Sequence, residues 1–225
     1  FQWQIGPQGA VATPEQFAEL GIPVYTSPAD CVAKDNSDGG DGVRTASFTM
    51  DLVYREIEDL ARIFDVADRG AELVADLQRR EAAARERISD LEGDVSALFW
   101  FSSAEAAADP YVAGNSGAPA AIMRALGVRN VVDSAEEWPT VGWETVVRAN
   151  PTVIVAARME RRRYPADDIA AKRRFLSEDP VASLLPAVRE GRVVEMDAQS
   201  MNPTIRTIEG IETLADALAE AGLAR

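Results

Sequence analysis

The chain has 225 residues, 47% of them hydrophobic, a formal net charge of −14 and no histidine. That length buries one good core or two modest ones, and no stretch approaches the roughly 20 consecutive apolar residues of a membrane-spanning helix. The acidic balance argues against nucleic acid or an anionic membrane surface as partner, since both demand a basic field. The missing histidine removes the commonest zinc ligand and the Ser-His and Cys-His pairs of many hydrolases. Cys31 is the single cysteine, which excludes an internal disulfide framework and a cysteine-cluster metal site. Two readings of it stand: a buried thiol acting as a small hydrophobe, or one half of a disulfide whose partner lies upstream. Basic charge is nearly all arginine, with Lys34 and Lys172 the two lysines.

Residues 1–7 (FQWQIGP) carry no initiator Met, basic stretch or cleavage site, so no targeting segment is read there. Residues 13–25 (TPEQFAELGIPVY) read as a capped short helix closed by Gly21 and followed by a strand at 22–26. The polar stretch 34–45 (KDNSDGGDGVRT) has no periodicity and reads as an exposed loop. Its acidic run fails as a calcium loop, because the alternate positions after Asp35 are Ser37 and Gly39 and no Glu follows where the ion requires one.

From Thr49 the period becomes helical: Val53, Ile57, Leu60 and Phe64 form one stripe. After a break near Asp65-Val66, a second helix is expected over residues 68–91 with a seam of Leu73, Leu77, Ala84, Ile88 and Leu91. Its length of about 36 Å suits a strut between two bodies. The competing reading is one arm of a helical hairpin or coiled coil. A run of α/β steps follows: strands at 95–101, 130–132, 152–157 and 192–196, and helices at 119–126, 143–149, 166–176 and 204–221. Such alternation predicts a mostly parallel sheet covered on both faces, whose ligands bind beyond the carboxyl ends of the strands. That rule selects the loops 102–117, 133–142, 158–165 and 197–203.

Those loops or their borders carry Phe101, Tyr111, Trp138 and Tyr164, with Arg158, Arg161, Arg162, Arg163 and Arg206 nearby in sequence. Flat rings and guanidinium forks suit a large, partly planar, anionic ligand. Rim packing remains the alternative for Tyr111 and Trp138, and a solvated face the alternative for Arg161 to Arg163. Arg206 opens a helix, where the dipole gives a cation nothing, so a specific partner is expected for it. Gly114 and Gly117 precede a helix, yet neither GxGxxG nor GxxxxGK[ST] is present, which argues against nucleotide. Glu136-Glu137 and Asp167-Asp168 read as surface charge, so no catalytic and no metal-binding residue is assigned.

The stretches YVAGNSGAPAAIMRALGVRNVVDSAEEWPTVGWETVVRANPTVIVAAR (residues 111–158) and LPAVREGRVVEMD (185–197), with LGIPVY and YREIEDLARIFDVADRGAELVADL upstream, resemble the class III solute-binding proteins of ABC importers for iron-siderophores, haem and vitamin B12. The resemblance implies an α/β fold with a Rossmann-like C-terminal lobe (93–225), a helical segment holding a long interdomain helix (49–92), and a remnant of the N-terminal lobe (1–48). It implies a binding protein without catalytic residues that captures a metal chelate, a ferric-siderophore first, and delivers it to permease subunits. It further implies a monomer held outside the cytoplasm by a lipid anchor, with no covalent cofactor and no nucleic acid. Phe101, Tyr111, Trp138, Arg158 and Arg206 become ligand-binding residues and Glu144 a permease-docking residue. The alternatives are a corrinoid or other anionic cofactor precursor and, in a different class, a doubly wound enzyme acting on a phosphorylated ligand.

Overall fold

The computed structural model describes residues 11–35 and 43–224; the reading of residues 1–7 and the middle of the 34–45 stretch lie outside the described residues. Helix α1 (Pro14–Glu19) starts on a capping box in which Thr13 and Gln16 bond reciprocally, and it buries nothing. The strand expected at 22–26 does not form: the segment is irregular, with Ile22, Val24 and Tyr25 exposed. Among the described residues no strand lies beside it, and an unpaired strand leaves its backbone groups to water. Side chains tie the segment down instead, Tyr25 Oη donating to Asp59 at 3.4 Å and Ser27 Oγ to Glu56 at 2.8 Å.

Helix α2 (Pro28–Cys31) is a single turn that buries Pro28 and Ala29 and leaves Cys31 exposed, which corrects the buried-thiol reading. Strands β1 (Lys34–Asp35) and β2 (Val43–Arg44) pair antiparallel, so the polar stretch read as loop throughout is rooted in a short ladder. Helix α3 (Met50–Ile63) buries Met50, Val53, Tyr54 and Ala61. Phe64, at the end of the expected stripe, is 71% exposed. Asp65 takes a left-handed φ of 54° at the break, and α4 (Ala67–Arg87) follows.

Helix α4 is shorter than expected, 21 residues or about 31 Å, and Leu91 lies beyond it in a bridge with Ala224. Its buried face is Gly70, Val74, Leu77 and Ala84, with Leu73 exposed. Its flank is packed along α3. The pairs Ala61 with Gly70 and Tyr54 with Glu81 show α3 and α4 running antiparallel as a helical hairpin. A Cβ added at Gly70 would sit 2.4 Å from the Ala61 Cβ, so glycine permits the close approach of the two helices.

The remaining elements are β3 (Ser96–Ser102), β4 (Tyr111–Val112), α5 (Ala118–Ala125), β5 (Arg129–Asn130), α6 (Trp143–Ala149), β6 (Val153–Arg158), α7 (Ile169–Glu178), α8 (Pro186–Arg189), β7 (Val193–Asp197) and α9 (Thr207–Glu220), with a 3-10 turn at Pro165–Asp167. Arg80 donates to Glu212 at 2.8 and 2.6 Å, holding α4 against α9. Strand β3 pairs parallel with β5 and β6, and β7 extends the sheet beyond β6, also parallel. The antiparallel β4 completes the sheet against the carboxyl half of β3. It is too short at two residues to leave a period in the sequence.

Alternation along β3 splits the interior into two cores. Ala97 and Phe99 face one, with Val153, Val155 and residues of α3, α4, α5 and α9; Leu98 and Trp100 face the other, with Ile154, Trp143 and Leu176. Both faces of β3 and β6 are therefore covered, as their uninterrupted apolar runs require. Successive crossovers place β5 on one side of β3 and β6 on the other, which makes the carboxyl end of β3 a topological switch point.

Candidate functional site

The carboxyl edge of the sheet gathers several of the residues singled out from the sequence. Phe101 is the penultimate residue of β3 and Trp138 sits in the loop after β5; their rings meet at 4.5 Å between centroids, tilted by 36°, a favourable aromatic separation. The loop carrying Trp138 is pinned by Val112 N donating to Pro139 O at 3.0 Å and Val141 N to Pro110 O at 3.2 Å. Tyr111 on β4 lies opposite Ser102 in register and bridges to Thr140, so it shares this edge with a 41% exposed ring.

The arginines divide. Arg158 ends β6 in register with Asp197 of β7, and their side chains approach to 3.9 Å while staying exposed. Arg206 caps the start of α9 and is exposed, its backbone N donating to Thr204 Oγ1 at 3.1 Å. In the expected run, Arg162 pairs with Asp168 at 2.7 Å and Arg163 lies over Tyr164 at 5.3 Å, the behaviour of a solvated face. Glu144 is the second residue of α6 and exposed; α6 starts at this same edge, where a carboxylate also favours the helix dipole.

The glycine-containing loop before α5 is already occupied. Gly114 N donates to Glu137 O at 3.0 Å and Asn115 N to Ser134 O at 2.7 Å, so these amides do not form an open phosphate cradle. A Cβ at Gly114 would sit 2.0 Å from Glu136 O, which makes glycine a packing requirement there. The N-terminal segment closes over the same loop: Phe48 N donates to Ser116 O at 2.8 Å, and Arg124 Nη2 donates to Phe48 O at 2.8 Å.

Two polar groupings here escaped the sequence reading. Arg44 and Lys34, with side chains 1% and 5% exposed, flank Glu137, which is 8% exposed, and Arg44 Nη2 also donates to Ala29 O at 2.8 Å. The sequence presents Glu137 as surface charge, whereas the structure makes it half of a buried ion pair joining segments 93 residues apart, a separation that no local pattern reveals. The second grouping is on the other side of β3. Asp167 is buried and accepts from Ser102 Oγ at 2.6 Å and Tyr164 N at 3.1 Å. Lys172 is fully buried, and burial lowers its pKa to about 8, an effect partly offset by Asp167. The signal available in the sequence was position: Lys172 falls three residues after Ile169 and four before Leu176, within an apolar stripe of α7.

Among the described residues no group of three or more His, Cys, Asp or Glu could hold a metal, and no helix is long and apolar enough to cross a membrane. The edge offers stacking surface and guanidinium donors, which suits binding.

No curated protein matches the chain in sequence. Solved structures share its fold. A periplasmic binding protein from Veillonella parvula is 20% identical, with a TM-score of 0.74 over 98% of this chain and 68% of that one. An ABC-type Fe3+-hydroxamate transport system from Saccharomonospora viridis is 25% identical, with a TM-score of 0.73 over 95% and 67%. A periplasmic heme-binding protein from Roseiflexus sp. RS-1 is 21% identical, with a TM-score of 0.69 over 96% and 75%. The sequence profile of periplasmic binding proteins matches residues 5–200, and the chain accordingly belongs to the periplasmic binding protein family, whose members bind substrates and are not enzymes.

Proposed function

We propose that the chain captures a metal chelate, a ferric-siderophore before others, for delivery to the permease subunits of an ABC importer. The observation that carries this reading is the Phe101–Trp138 ring pair at the switch point of the sheet, with Tyr111, Arg158 and Arg206 on the same edge. Rings supply area to a bulky ligand, and guanidinium groups supply paired donors to its anionic oxygens. The relative from Saccharomonospora viridis, described as part of a Fe3+-hydroxamate transport system, supports the choice of ligand. Heme ranks lower because the chain has no histidine to hold its iron, which leaves Tyr111 as the axial donor on this edge. A corrinoid or another anionic cofactor precursor is the second reading, favoured by the same rings and arginines.

In this reading residues 93–225 form one wall of the ligand cleft, residues 49–92 link it to the other wall, and residues 1–48 belong to that other wall. The protein works as a monomer outside the cytoplasm, held to the membrane by a lipid anchor. Glu144, exposed at the start of α6 on the cleft edge, docks onto a cation of the permease.

Tryptophan-fluorescence titration with ferric hydroxamates, cobalamin and heme tests the ligand. Saturable quenching by a ferric chelate, weakened at least tenfold in Trp138→Ala and in Arg206→Ala, is the expected result. Quenching by cobalamin alone selects the second reading, and no response to any ferric chelate refutes the first. For docking, Glu144→Arg is expected to bind ligand normally and to lose uptake in cells; normal uptake removes the assignment.

A further inference from the structure

Lys172 is the one lysine of the described residues that is wholly enclosed by the sheet and its covering helix. An ammonium stripped of water persists only with acceptors in place, and here they are specific: Nζ donates to Phe101 O at 2.5 Å and to Ala157 O at 3.0 Å. It also lies 5.2 Å from the Trp100 ring centroid, within cation–π range. The parallel ladder between β3 and β6 ends at Trp100 opposite Ala156, and the pairing of β3 with β4 is irregular between Trp100 and Ser102. Phe101 and Ala157 are the first residues past that last pair. Their carbonyls stand where the two strands part and regular ladder donors run out.

We propose that Lys172 is a positioning residue for ligand capture: its ammonium ties together the carboxyl ends of β3 and β6 and so fixes Phe101, Arg158 and, through the ring contact, Trp138. The proposal rests on the cleft reading above. Phe101 is held through its own carbonyl, and Arg158 is the residue after Ala157. A second tie runs parallel to the first, from Ser102 Oγ to the Asp167 carboxylate, which also receives Tyr164 N. A lysine is suited to this place because three donors on one nitrogen serve two strands at once.

The groups facing the ammonium are few. The 3-10 turn at Pro165–Asp167 presents Asp167; β3 presents the Phe101 carbonyl and the Trp100 ring; β6 presents the Ala157 carbonyl; the turn at Ala182–Leu184 presents no ionisable side chain. On α7 itself Arg173 and Arg174 are exposed, and Arg173 pairs with Glu195 of β7. With the ammonium lowered to about 8, the tie is charged at neutral pH and discharges as the solution becomes moderately alkaline.

The test has one arm without ligand and one with it. In the ligand-free protein, hydrogen exchange at neutral pH is expected to be at least tenfold faster for Lys172→Met than for wild type in residues 99–103 and 155–159, and unchanged in α3 and α4. Equal exchange in those strand ends overturns the proposal. In the second arm, ferric hydroxamate affinity is expected to fall about tenfold in Lys172→Met at pH 7, and to fall in wild type between pH 7 and 9.5 while the variant stays flat. Unchanged affinity in the variant overturns the positioning role even where exchange has changed. If wild type binds no ferric hydroxamate, the ligand reading fails by itself, and the exchange arm alone decides the tie. Should Lys172→Met not fold, Lys172→Gln, which keeps a donor, replaces it in both arms; wild-type-like exchange and affinity in that variant would show that the charge is dispensable and sink the proposal.

Discussion

Residues 22–26 (IPVYT) and 153–157 (VIVAA) are apolar runs of equal length with opposite fates. The second is β6, buried on both faces between β3 and β7. The first is irregular, with Ile22 47% and Val24 41% exposed. An apolar run becomes a strand when neighbours complete its ladder and layers cover its faces. β6 has two neighbouring strands and two helical layers, whereas the described residues offer the first run no strand at all. The sequence of a strand states a demand, and the rest of the fold decides whether it is met.

The comparison breaks most visibly where the covered region is hollowed out. Trp100 is wholly buried, packed edge-on against Trp143 at 4.9 Å and Phe175 at 6.0 Å. Trp100→Ala is expected to cost about 4 kcal/mol, read as a lowered midpoint in urea denaturation. A loss below about 1 kcal/mol would mean that the sheet is not the cooperative centre of the molecule.

Next comes the charge embedded in that same region. The Lys172 pKa is about 8 when folded against 10.5 when unfolded, so between these values the unfolded chain binds a proton that the folded one has released. Stability therefore rises with pH across that window, by up to about 3 kcal/mol. Above pH 10 the tyrosines act in the other direction: burial first, then Asp59, pushes Tyr25 up to about 12, and burial with Glu81 raises Tyr54 as well. Denaturation from pH 7 to 10 is the measurement, with Lys172→Met as reference. The difference between the two proteins should change by this amount, and parallel curves would remove the assignment.

Gly114 marks the boundary between the covered region and its rim. Gly114→Ala drives a Cβ against Glu136 O, a backbone atom with little room to yield, and is expected to cost about 2 kcal/mol. Loosening of the loop that carries Trp138 should accompany it, visible as a changed Trp138 emission, obtained for each protein by subtracting the spectrum of its Trp138→Phe counterpart.

What was legible in the sequence follows the same division. Strands β3, β6 and β7 and helices α5, α6 and α9 fell within one to three residues of their expected bounds, because long runs bounded by glycine or polar residues carry an unambiguous period. Phe101 and Trp138 were legible as neighbours on the carboxyl edge of the sheet, where their rings do meet, because the strand-end rule selects loops before any contact is known. Lys172 was not, since lysine reads as surface charge unless its place in the Ile169 and Leu176 stripe is weighed. The Arg44 and Glu137 pair was out of reach for a different reason: its partners lie 93 residues apart, and three-dimensional proximity at that separation leaves no trace in a local pattern. The error at 22–26 came from reading a demand as a structure.

The smallest expected effect sharpens the comparison best. Val24 is 41% exposed and belongs to no ladder among the described residues, so Val24→Lys removes little buried area and should shift the stability of this 225-residue chain by no more than about 0.5 kcal/mol. The same change at Val155, which is wholly buried, would force a charge between two layers and unfold the protein. Equal small losses at both sites would show that coverage by neighbours does not control the fate of these runs. A large loss at Val24 alone would show that the segment is covered in solution. Hydrogen exchange across residues 24–26, whose amides have no backbone acceptor among the described residues, would then report protection.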